Sequence, residues 1–232
     1  MNSRPPLISL DNVTFSYRPF LGLSGKVTIP VVQSVSLNIH RGDRLGVFGR
    51  NGEGKTTLLR ILGGIISPDA GQVTVAPKTS VSLLSLGSGL NGALTGKDNV
   101  ALTAVLMGRT EEWARAFLPQ IKQFSELGEA FDRPVYTYSA GMKSRLAFST
   151  AINLDVDVLL VDEVLAVGDA SFRKKAEAAM AEKIEMGQTL VLVSHSAADI
   201  KRICQKAIWL DNGSIIESDT VDVVAFKYST AR

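Results

Sequence analysis

A glycine-rich run that ends in Lys-Thr-Thr constrains this 232-residue chain more than any other part of its sequence. An apolar segment at residues 43–48 leads into the run, and an apolar helical repeat follows it at residues 56–66. Glycines let a backbone wrap closely around an anion, and the positive end of a helix adds to the attraction. A strand, a loop with the spacing G-x-x-x-x-G-K-T and a helix together predict a phosphate-binding loop. Its residues are Gly49, Arg50, Asn51, Gly52, Glu53, Gly54, Lys55, Thr56 and Thr57.

Polar side chains follow two further apolar strands. Residues 156–161 read as a parallel strand covered on both faces, and they lead into Asp162 and Glu163. Because ligands bind at the carboxyl edge of such sheets, we expect Asp162 to hold Mg²⁺ together with the Thr56 hydroxyl. Glu163 is then placed to polarise the water that attacks the γ-phosphate. His195 follows the strand at residues 189–193 and is predicted to contact the γ-phosphate and orient that water.

Strands and helices that alternate around buried apolar strands predict an α/β fold with a mostly parallel sheet. Residues 90–153 have a helical pattern and are predicted to be an inserted α-helical subdomain. Residues 1–89 and 154–232 are predicted to form the core with an antiparallel β-subsheet. An Asn-Gly pair at residues 212–213 predicts a hairpin turn. We expect one nucleotide-binding domain over residues 1–232.

Charge and composition exclude several classes of protein. Lys and Arg number 25 and Asp and Glu number 23, so a net charge of +2 argues against a nucleic-acid binder that relies on bulk charge. The single cysteine excludes an intrachain disulfide and a cysteine-based metal site. No apolar stretch reaches about 18 residues, and the first six residues are not followed by an apolar region. We therefore expect neither a membrane span nor a signal peptide.

The run Tyr138-Ser139-Ala140-Gly141-Met142 resembles the signature Leu-Ser-Gly-Gly-Gln of ATP-binding cassette (ABC) ATPases. Ser139 and Gly141 match that signature, whereas the other three residues replace a Leu, a Gly and a Gln. The order of phosphate-binding loop, helical block, signature, Asp-Glu pair and histidine is also that of the family. The resemblance covers nearly the whole chain.

This resemblance implies a P-loop NTPase core of the ABC type and an ATPase that uses ATP and Mg²⁺. It implies a head-to-tail dimer of two copies, in which the signature residues Ser139, Ala140, Gly141 and Met142 face the ATP of the other copy. Asp169 matches the loop that communicates across that dimer. Tyr17 matches the aromatic residue that stacks on adenine, and Phe15 is the alternative.

One position departs from the family. Most ABC ATPases place a magnesium-contacting glutamine after the strand that is predicted here at residues 81–86. No glutamine occurs between Gln72 and Gln120. Either another group, with Ser85 as the candidate, or water alone takes its place.

Four sequence segments resemble one branch of the family, the ATPase subunits of bacterial polysaccharide exporters for capsule, O-antigen and teichoic acid. The segments are Gly49-Arg50-Asn51-Gly52 and residues 94–100, 138–146 and 162–172. In the last of them, Val167-Gly168-Asp169 replaces the Ser-Ala-Leu-Asp that is common in other ABC ATPases. Because the sequence ends soon after His195, we expect the capsule type without a C-terminal carbohydrate-binding domain. An O-antigen type that needs no recognition of a terminal tag is the other possibility.

The branch implies a subunit that hydrolyses ATP to move a lipid-linked polysaccharide across the cytoplasmic membrane. It would lie at the cytoplasmic face of that membrane, bound to an integral membrane permease. Periplasmic or outer-membrane export components are further candidate partners, and nucleic acid is not expected. Two alternatives remain, namely an ABC ATPase for a drug or another lipid, and a non-catalytic regulatory nucleotide-binding module.

Overall fold

The computed structural model describes residues 5–19, 27–85, 89–162, 168–194 and 196–231. The strands within these residues are β1 (Ile8–Tyr17), β2 (Ile29–Ile39), β3 (Arg44–Phe48), β4 (Ala70–Val75), β5 (Val81–Ser85), β6 (Val158–Asp162), β7 (Thr189–Val193), β8 (Lys206–Asp211) and β9 (Ser214–Thr220). The α-helices are α1 (Lys55–Leu62), α2 (Gly96–Leu106), α3 (Glu111–Ser125), α4 (Ala140–Asn153), α5 (Ala170–Glu185), α6 (Ala197–Ile203) and α7 (Val221–Thr230).

These elements belong to two compact units. The first comprises Met1–Thr79 and Gln188–Arg232, and the second comprises Ser80–Gly187. The predicted helical subdomain, residues 90–153, lies within the second unit. The boundaries proposed from the sequence stay a prediction.

The first unit contains an antiparallel sheet in the strand order β2-β1-β4. Apolar side chains on one face of β1 and β2 are buried, whereas many residues between them are exposed, as expected for a sheet with one face in the core. The buried side chains are Ile8, Leu10, Val13, Val32, Val35 and Ile39. This sheet is the antiparallel subsheet that the sequence predicts.

A second sheet of the same unit has β3 at its centre. Strand β3 pairs in parallel with β7 on one side and with β8 on the other, and β8 continues into β9 as an antiparallel hairpin. All five residues of β7 and the last four of β3 are buried, because both faces of these strands are covered. The phosphate-binding loop begins where β3 ends.

Two helices of the first unit differ from the sequence-based expectation. Helix α1 ends at Leu62 rather than at residue 66, because Gly63 and Gly64 follow, Gly64 has φ +67°, and glycine is a poor helix former. Helix α6 was not expected, since seven residues are too few to display a helical repeat. Its N-cap, Ser196, accepts a hydrogen bond from the Asp199 N–H at 3.2 Å and is the signal that could have revealed it.

The second unit contains the parallel strand pair β5–β6 and the helices α2 to α5, of which α4 packs against β5. Three phenylalanines from different helices pack together, with Phe172 edge-on to both Phe124 and Phe148 at centroid distances of 6.0 and 6.2 Å. Phe148 and Phe172 are fully buried. Across the described residues, no helix has both the length and the apolar character needed to cross a membrane.

Cys204, the only cysteine, is buried directly after α6. Burial raises the pKa of its thiol to about 12, so at pH 8 only about one molecule in 10⁴ carries the reactive thiolate. We expect a thiol reagent to leave the native protein unmodified at pH 8 and to modify one thiol per chain after unfolding in urea. Rapid stoichiometric modification of the native protein would contradict this placement.

Candidate functional site

The phosphate-binding loop leads directly into helix α1. The N-cap of α1 is Gly54, which has φ +92° and no side chain that could accept a hydrogen bond. By contrast, helices α2 to α6 each begin with a side-chain cap, from Thr95, Thr110, Ser139, Asp169 and Ser196 respectively. The first N–H groups of a helix need an acceptor from elsewhere, and an anion is a suitable one. The start of α1 therefore fits a phosphate group.

Gly54 is also required by the strand that lies against the loop. A Cβ atom at this position would stand 2.4 Å from the carbonyl oxygen of Val31 in β2, which is closer than any non-bonded contact allows. The left-handed φ adds a further penalty for any other residue. Strand β2 thus fixes the path of the loop at the helix N-terminus.

Lys55 shapes the loop from its inside. Its ammonium group donates hydrogen bonds to the carbonyl oxygens of Gly49, at 2.8 Å, and Arg50, at 2.7 Å. The residue is buried, which sets a positive charge inside the curve of the loop. An ammonium group and a helix N-terminus in one loop form the donor set that the sequence predicts for the phosphates of a nucleotide.

Tyr17 lies beside the first turn of α1. Its hydroxyl is 3.4 Å from Oγ1 of Thr57, which is buried, and its ring is 38% exposed. Phe15 packs edge-on against the Tyr17 ring at a centroid distance of 5.0 Å. Of the two aromatic candidates for an adenine contact, Tyr17 is the one that the structure places next to the loop, with an exposed ring surface. Its adenine contact stays a prediction.

Asp162 is the last residue of β6 in the second unit, and it is half-buried. Ser85, the candidate replacement for the missing glutamine, is its register partner in the neighbouring strand β5. The two backbones therefore end at the same edge of the strand pair. Glu163 and His195 lie outside the described residues, so their catalytic roles stay predictions.

The signature run begins helix α4. The Ser139 hydroxyl accepts a hydrogen bond from the Met142 N–H at 3.2 Å and caps the helix, as expected for serine at this position. Ala140 is exposed and Gly141 is half-exposed in the first turn. A Cβ atom at Gly141 would meet only Ser139 Oγ, at 3.9 Å, among the described residues. Nothing in the described part of the chain therefore requires a glycine at position 141.

Tyr138 takes the place of the family's leucine without disturbing the core. Its ring is buried in a cluster that includes Phe131 and Leu146. Its hydroxyl donates a hydrogen bond to the Ala130 carbonyl oxygen at 2.5 Å, so the polar end of the side chain is satisfied. Burial raises the pKa of the phenol above its ordinary value, and the residue stays neutral.

Asp169 is engaged within its own unit. Its carboxylate caps helix α5 by accepting a hydrogen bond from the Phe172 N–H at 2.9 Å, and this bond is the main cause that lowers the pKa of Asp169. The same carboxylate accepts a hydrogen bond from Arg145 of helix α4. The Arg145 guanidinium also stands 5.2 Å from the centre of the Phe172 ring and 3.8 Å from a Glu126 carboxylate oxygen. Arg145 therefore connects the signature helix to the loop before α5.

The model of one protein family, described as "ABC transporter", matches residues 32–166. The chain belongs to the ABC transporter family. Its predicted fold class is confirmed by a solved dimeric ATP-binding cassette in a post-hydrolysis state with bound ADP and Pi. That structure gives a TM-score of 0.76 at 24% identity and covers 92% of this chain and 98% of its own.

Curated ABC relatives carry names from polysaccharide export. The chain is 40% identical over 195 residues to the teichoic acids export ATP-binding protein TagH of Bacillus cereus, covering 84% of this chain and 35% of the relative. It therefore spans about a third of the length of that relative. It is 34% identical over 244 residues to the O-antigen export system ATP-binding protein RfbB of Klebsiella pneumoniae, with 97% of this chain and 98% of the relative covered.

Three contacts of the candidate site residues, two in the first unit and one in the second, were not assigned from the sequence. They are the Val31 carbonyl beneath Gly54, the tie between Arg145 and Asp169, and a contact of Glu53 with the β8–β9 turn. Only the contact of Glu53 has a partial signal in the sequence. The Asn-Gly pair predicts the β8–β9 turn, but it does not identify Glu53 as the residue that contacts it. The other two are packing contacts between residues far apart in the chain.

We expect Arg145→Gln to lower the melting temperature by about 2–6 °C, because it removes an ion pair and a ring contact from a side chain that is only 20% exposed. Arg145→Lys should recover part of the loss, since lysine keeps the charge without the planar guanidinium. Arg115→Gln is the matched control, because the Arg115–Glu111 pair is 73% and 65% exposed and should contribute little. Equal melting temperatures for Arg145→Gln and Arg115→Gln would show that the contacts of Arg145 with Asp169 and Phe172 do not stabilise the fold.

Proposed function

We propose that this chain is the ATP-binding and ATP-hydrolysing subunit of an ABC exporter that moves a lipid-linked polysaccharide across the cytoplasmic membrane. The observation that carries the ATPase assignment is the phosphate-binding loop, in which an uncapped helix N-terminus and the buried Lys55 ammonium face one concave backbone. These groups suit the β- and γ-phosphates of ATP. The cargo is proposed from the names of the export relatives.

The roles of the loop residues follow from their positions. The backbone from Gly49 to Gly54 would wrap the phosphates, and Lys55 would exchange its carbonyl partners for phosphate oxygens when the nucleotide enters. Tyr17, with its exposed ring beside α1, would stack on the adenine. The loop would contact only the phosphates, so it would not distinguish one nucleoside triphosphate from another. Tyr17 would supply the contact to the base.

Mg²⁺ suits the oxygen donors that the chain supplies. Hydroxyl and carboxylate oxygens are ligands that this ion prefers, and we assign Thr56 and Asp162 to it. Ser85 is the candidate for the glutamine position, because its backbone ends beside Asp162. A bound Mg²⁺ would neutralise charge on the β- and γ-phosphates.

Hydrolysis needs a base and a group that orients the water. Glu163 is proposed to accept the proton of the attacking water, and His195 to contact the γ-phosphate and orient that water. Phosphoryl transfer depends mainly on positioning and electrostatics, so the remaining residues act by holding the phosphates in line.

A second copy of the chain is proposed to complete each site. Gly141 stands in the first turn of α4 with no described neighbour that explains a glycine, which suits close approach of a group from outside the chain. Ser139, Ala140, Gly141 and Met142 would then face the γ-phosphate on the other copy. Asp169 would contribute to the dimer through its loop, because its carboxylate is engaged by Arg145 and Phe172.

The integral membrane permease is proposed to dock on helix α2. This helix exposes Leu102, Val105 and Leu106, with Leu106 78% exposed. Contiguous exposed apolar side chains commonly mark a protein interface. This docking would keep the chain at the cytoplasmic face of the membrane. Periplasmic or outer-membrane components could join the exporter through the permease. Transport of a drug or another lipid, and a purely regulatory role, are the alternatives.

The test of catalysis is Glu163→Gln, which keeps the size of the side chain and removes the base. We expect normal ATP binding and a fall in turnover of about 10²–10⁴-fold, with the closed dimer trapped in ATP. Phosphate release, equilibrium ATP binding and light scattering would measure the three quantities. Lys55→Ala is the control that should lose binding. Robust hydrolysis by Glu163→Gln would refute Glu163 as the base, and a wild-type chain without ATPase activity, alone or with its permease, would favour the regulatory alternative.

The test of the signature is Gly141→Ala. Because a Cβ fits there, we expect stability in urea to be unchanged or raised by up to about 1 kcal/mol, while ATP turnover falls. Gly54→Ala is the matched control and should lose stability, because its Cβ would collide with the Val31 carbonyl oxygen. If Gly141→Ala keeps full turnover, the signature does not approach a nucleotide.

A further inference from the structure

Three segments of the first unit meet at the phosphate-binding loop. They are residues 31–33 of β2, residues 50–54 of the loop and the β8–β9 turn at residues 211–214. The carbonyl oxygen of Val31 lies against two glycines, because a Cβ on Gly54 would stand 2.4 Å from it and a Cβ on Gly213 would stand 2.5 Å from it. The loop and the turn are therefore packed on the same point of β2.

Gln33 fixes the turn in this position through three hydrogen bonds. Its N–H donates to the Gly213 carbonyl oxygen at 2.8 Å, and its side-chain amide donates to the Asn212 carbonyl oxygen at 2.7 Å. Its own carbonyl oxygen accepts a hydrogen bond from the Ser214 hydroxyl at 3.2 Å. With this support the turn is a rigid neighbour of the loop.

Glu53 links the loop to this rigid turn. It lies between Gly52 and Gly54, both with positive φ, and its half-buried carboxylate accepts a hydrogen bond from the Asn212 N–H. A carboxylate is an unexpected group in a loop that otherwise attracts an anion, because its negative charge repels phosphates. A charge-assisted hydrogen bond to a backbone N–H stabilises it at the turn.

We propose that Glu53 is a positioning residue that pins the phosphate-binding loop to the β8–β9 turn, and that its charge at the same time weakens nucleotide binding. The hydrogen bond holds the flexible Gly-Glu-Gly segment in the shape that presents the α1 N-terminus. The turn keeps the carboxylate from moving towards the phosphates. This inference rests on the proposed binding of ATP at the loop, and it goes beyond it by assigning opposite effects to the charge and to the hydrogen bond of one side chain.

Two conservative substitutions separate these effects. Glu53→Gln keeps an oxygen that can accept from Asn212 and removes the charge. Glu53→Asp keeps the charge and shortens the side chain by one methylene, so that the carboxylate is withdrawn from the turn. We expect ATP to bind about 3–10-fold more tightly to Glu53→Gln than to the wild type, and about 3–10-fold more weakly to Glu53→Asp.

Gln33→Ala tests the turn without altering any residue of the loop. It should weaken ATP binding in the wild type, because the turn loses the side-chain hydrogen bond from Gln33 to Asn212 and keeps only the two main-chain bonds. It should have a much smaller effect in a Glu53→Ala background, where no hydrogen bond remains to be lost. Such non-additivity is the sign of two residues that act through one contact.

The measurement is equilibrium binding of ATP with Mg²⁺ to the full chain, by calorimetry. The fluorescence of Trp209 is a second readout, since Trp209 pairs in register with Phe48 just before the loop, and Trp113→Phe removes the only other tryptophan. The gain for Glu53→Gln should shrink at high salt, because screening reduces the charge effect. A purely structural contact would not produce that salt dependence.

The outcomes separate this inference from the proposed function. If the wild-type chain fails to bind ATP, the proposed function is wrong. If the wild type binds ATP but Glu53→Gln and Glu53→Asp do not fall on opposite sides of it, the inference about Glu53 is wrong. Additive effects of Gln33→Ala and Glu53→Ala would likewise overturn the link between the turn and the loop.

Discussion

The first turn of helix α1 is the constraint on which the functional part of the molecule depends. Its N–H groups face a concave loop and receive no side-chain cap from Gly54, unlike those of helices α2 to α6. Such a loop must keep its shape by contacts that do not occupy the anion position. The chain meets this requirement with the Val31 carbonyl oxygen, which packs against Gly54 from outside the loop. The site is thereby preorganised, which lowers the ordering cost of binding a ligand.

Much of this arrangement could be predicted because it is encoded locally. Buried parallel strands β3 and β7 appear as apolar runs, and the loop and the Asn-Gly turn appear as short motifs. Helix α6 escaped prediction because seven residues carry too little periodic signal. Helix α1 was predicted too long because the apolar pattern continues beyond Gly63 and Gly64, although the backbone is no longer helical there.

The contacts that refine the site could not be predicted, because they join residues that are distant in sequence. Glu53 and Asn212 are 159 positions apart, and the Ser80–Asp157 hydrogen bonds beside β5 and β6 span 77. No local pattern marks one of these residues as the neighbour of the other. Tyr138 is an intermediate case. It departs from the family's signature, and the Ala130 carbonyl oxygen next to its hydroxyl helps to explain why a tyrosine is tolerated in that core.

The phosphate-binding loop and the signature run each contain a glycine, but the physical reason for the glycine differs between Gly54 and Gly141. Gly54 is fixed by its own chain, since both its φ of +92° and the Val31 carbonyl exclude a side chain. Gly141 has room for one, and it lies at a helix position where alanine would be the better helix former. The described chain does not require a glycine at position 141, and this agrees with our proposal that a group from outside the chain approaches there. The Ser139 hydroxyl caps this helix through the Met142 N–H alone, which is one of about four N–H groups that lack a partner within the helix at its N-terminus, so the cap by itself does not complete the first turn.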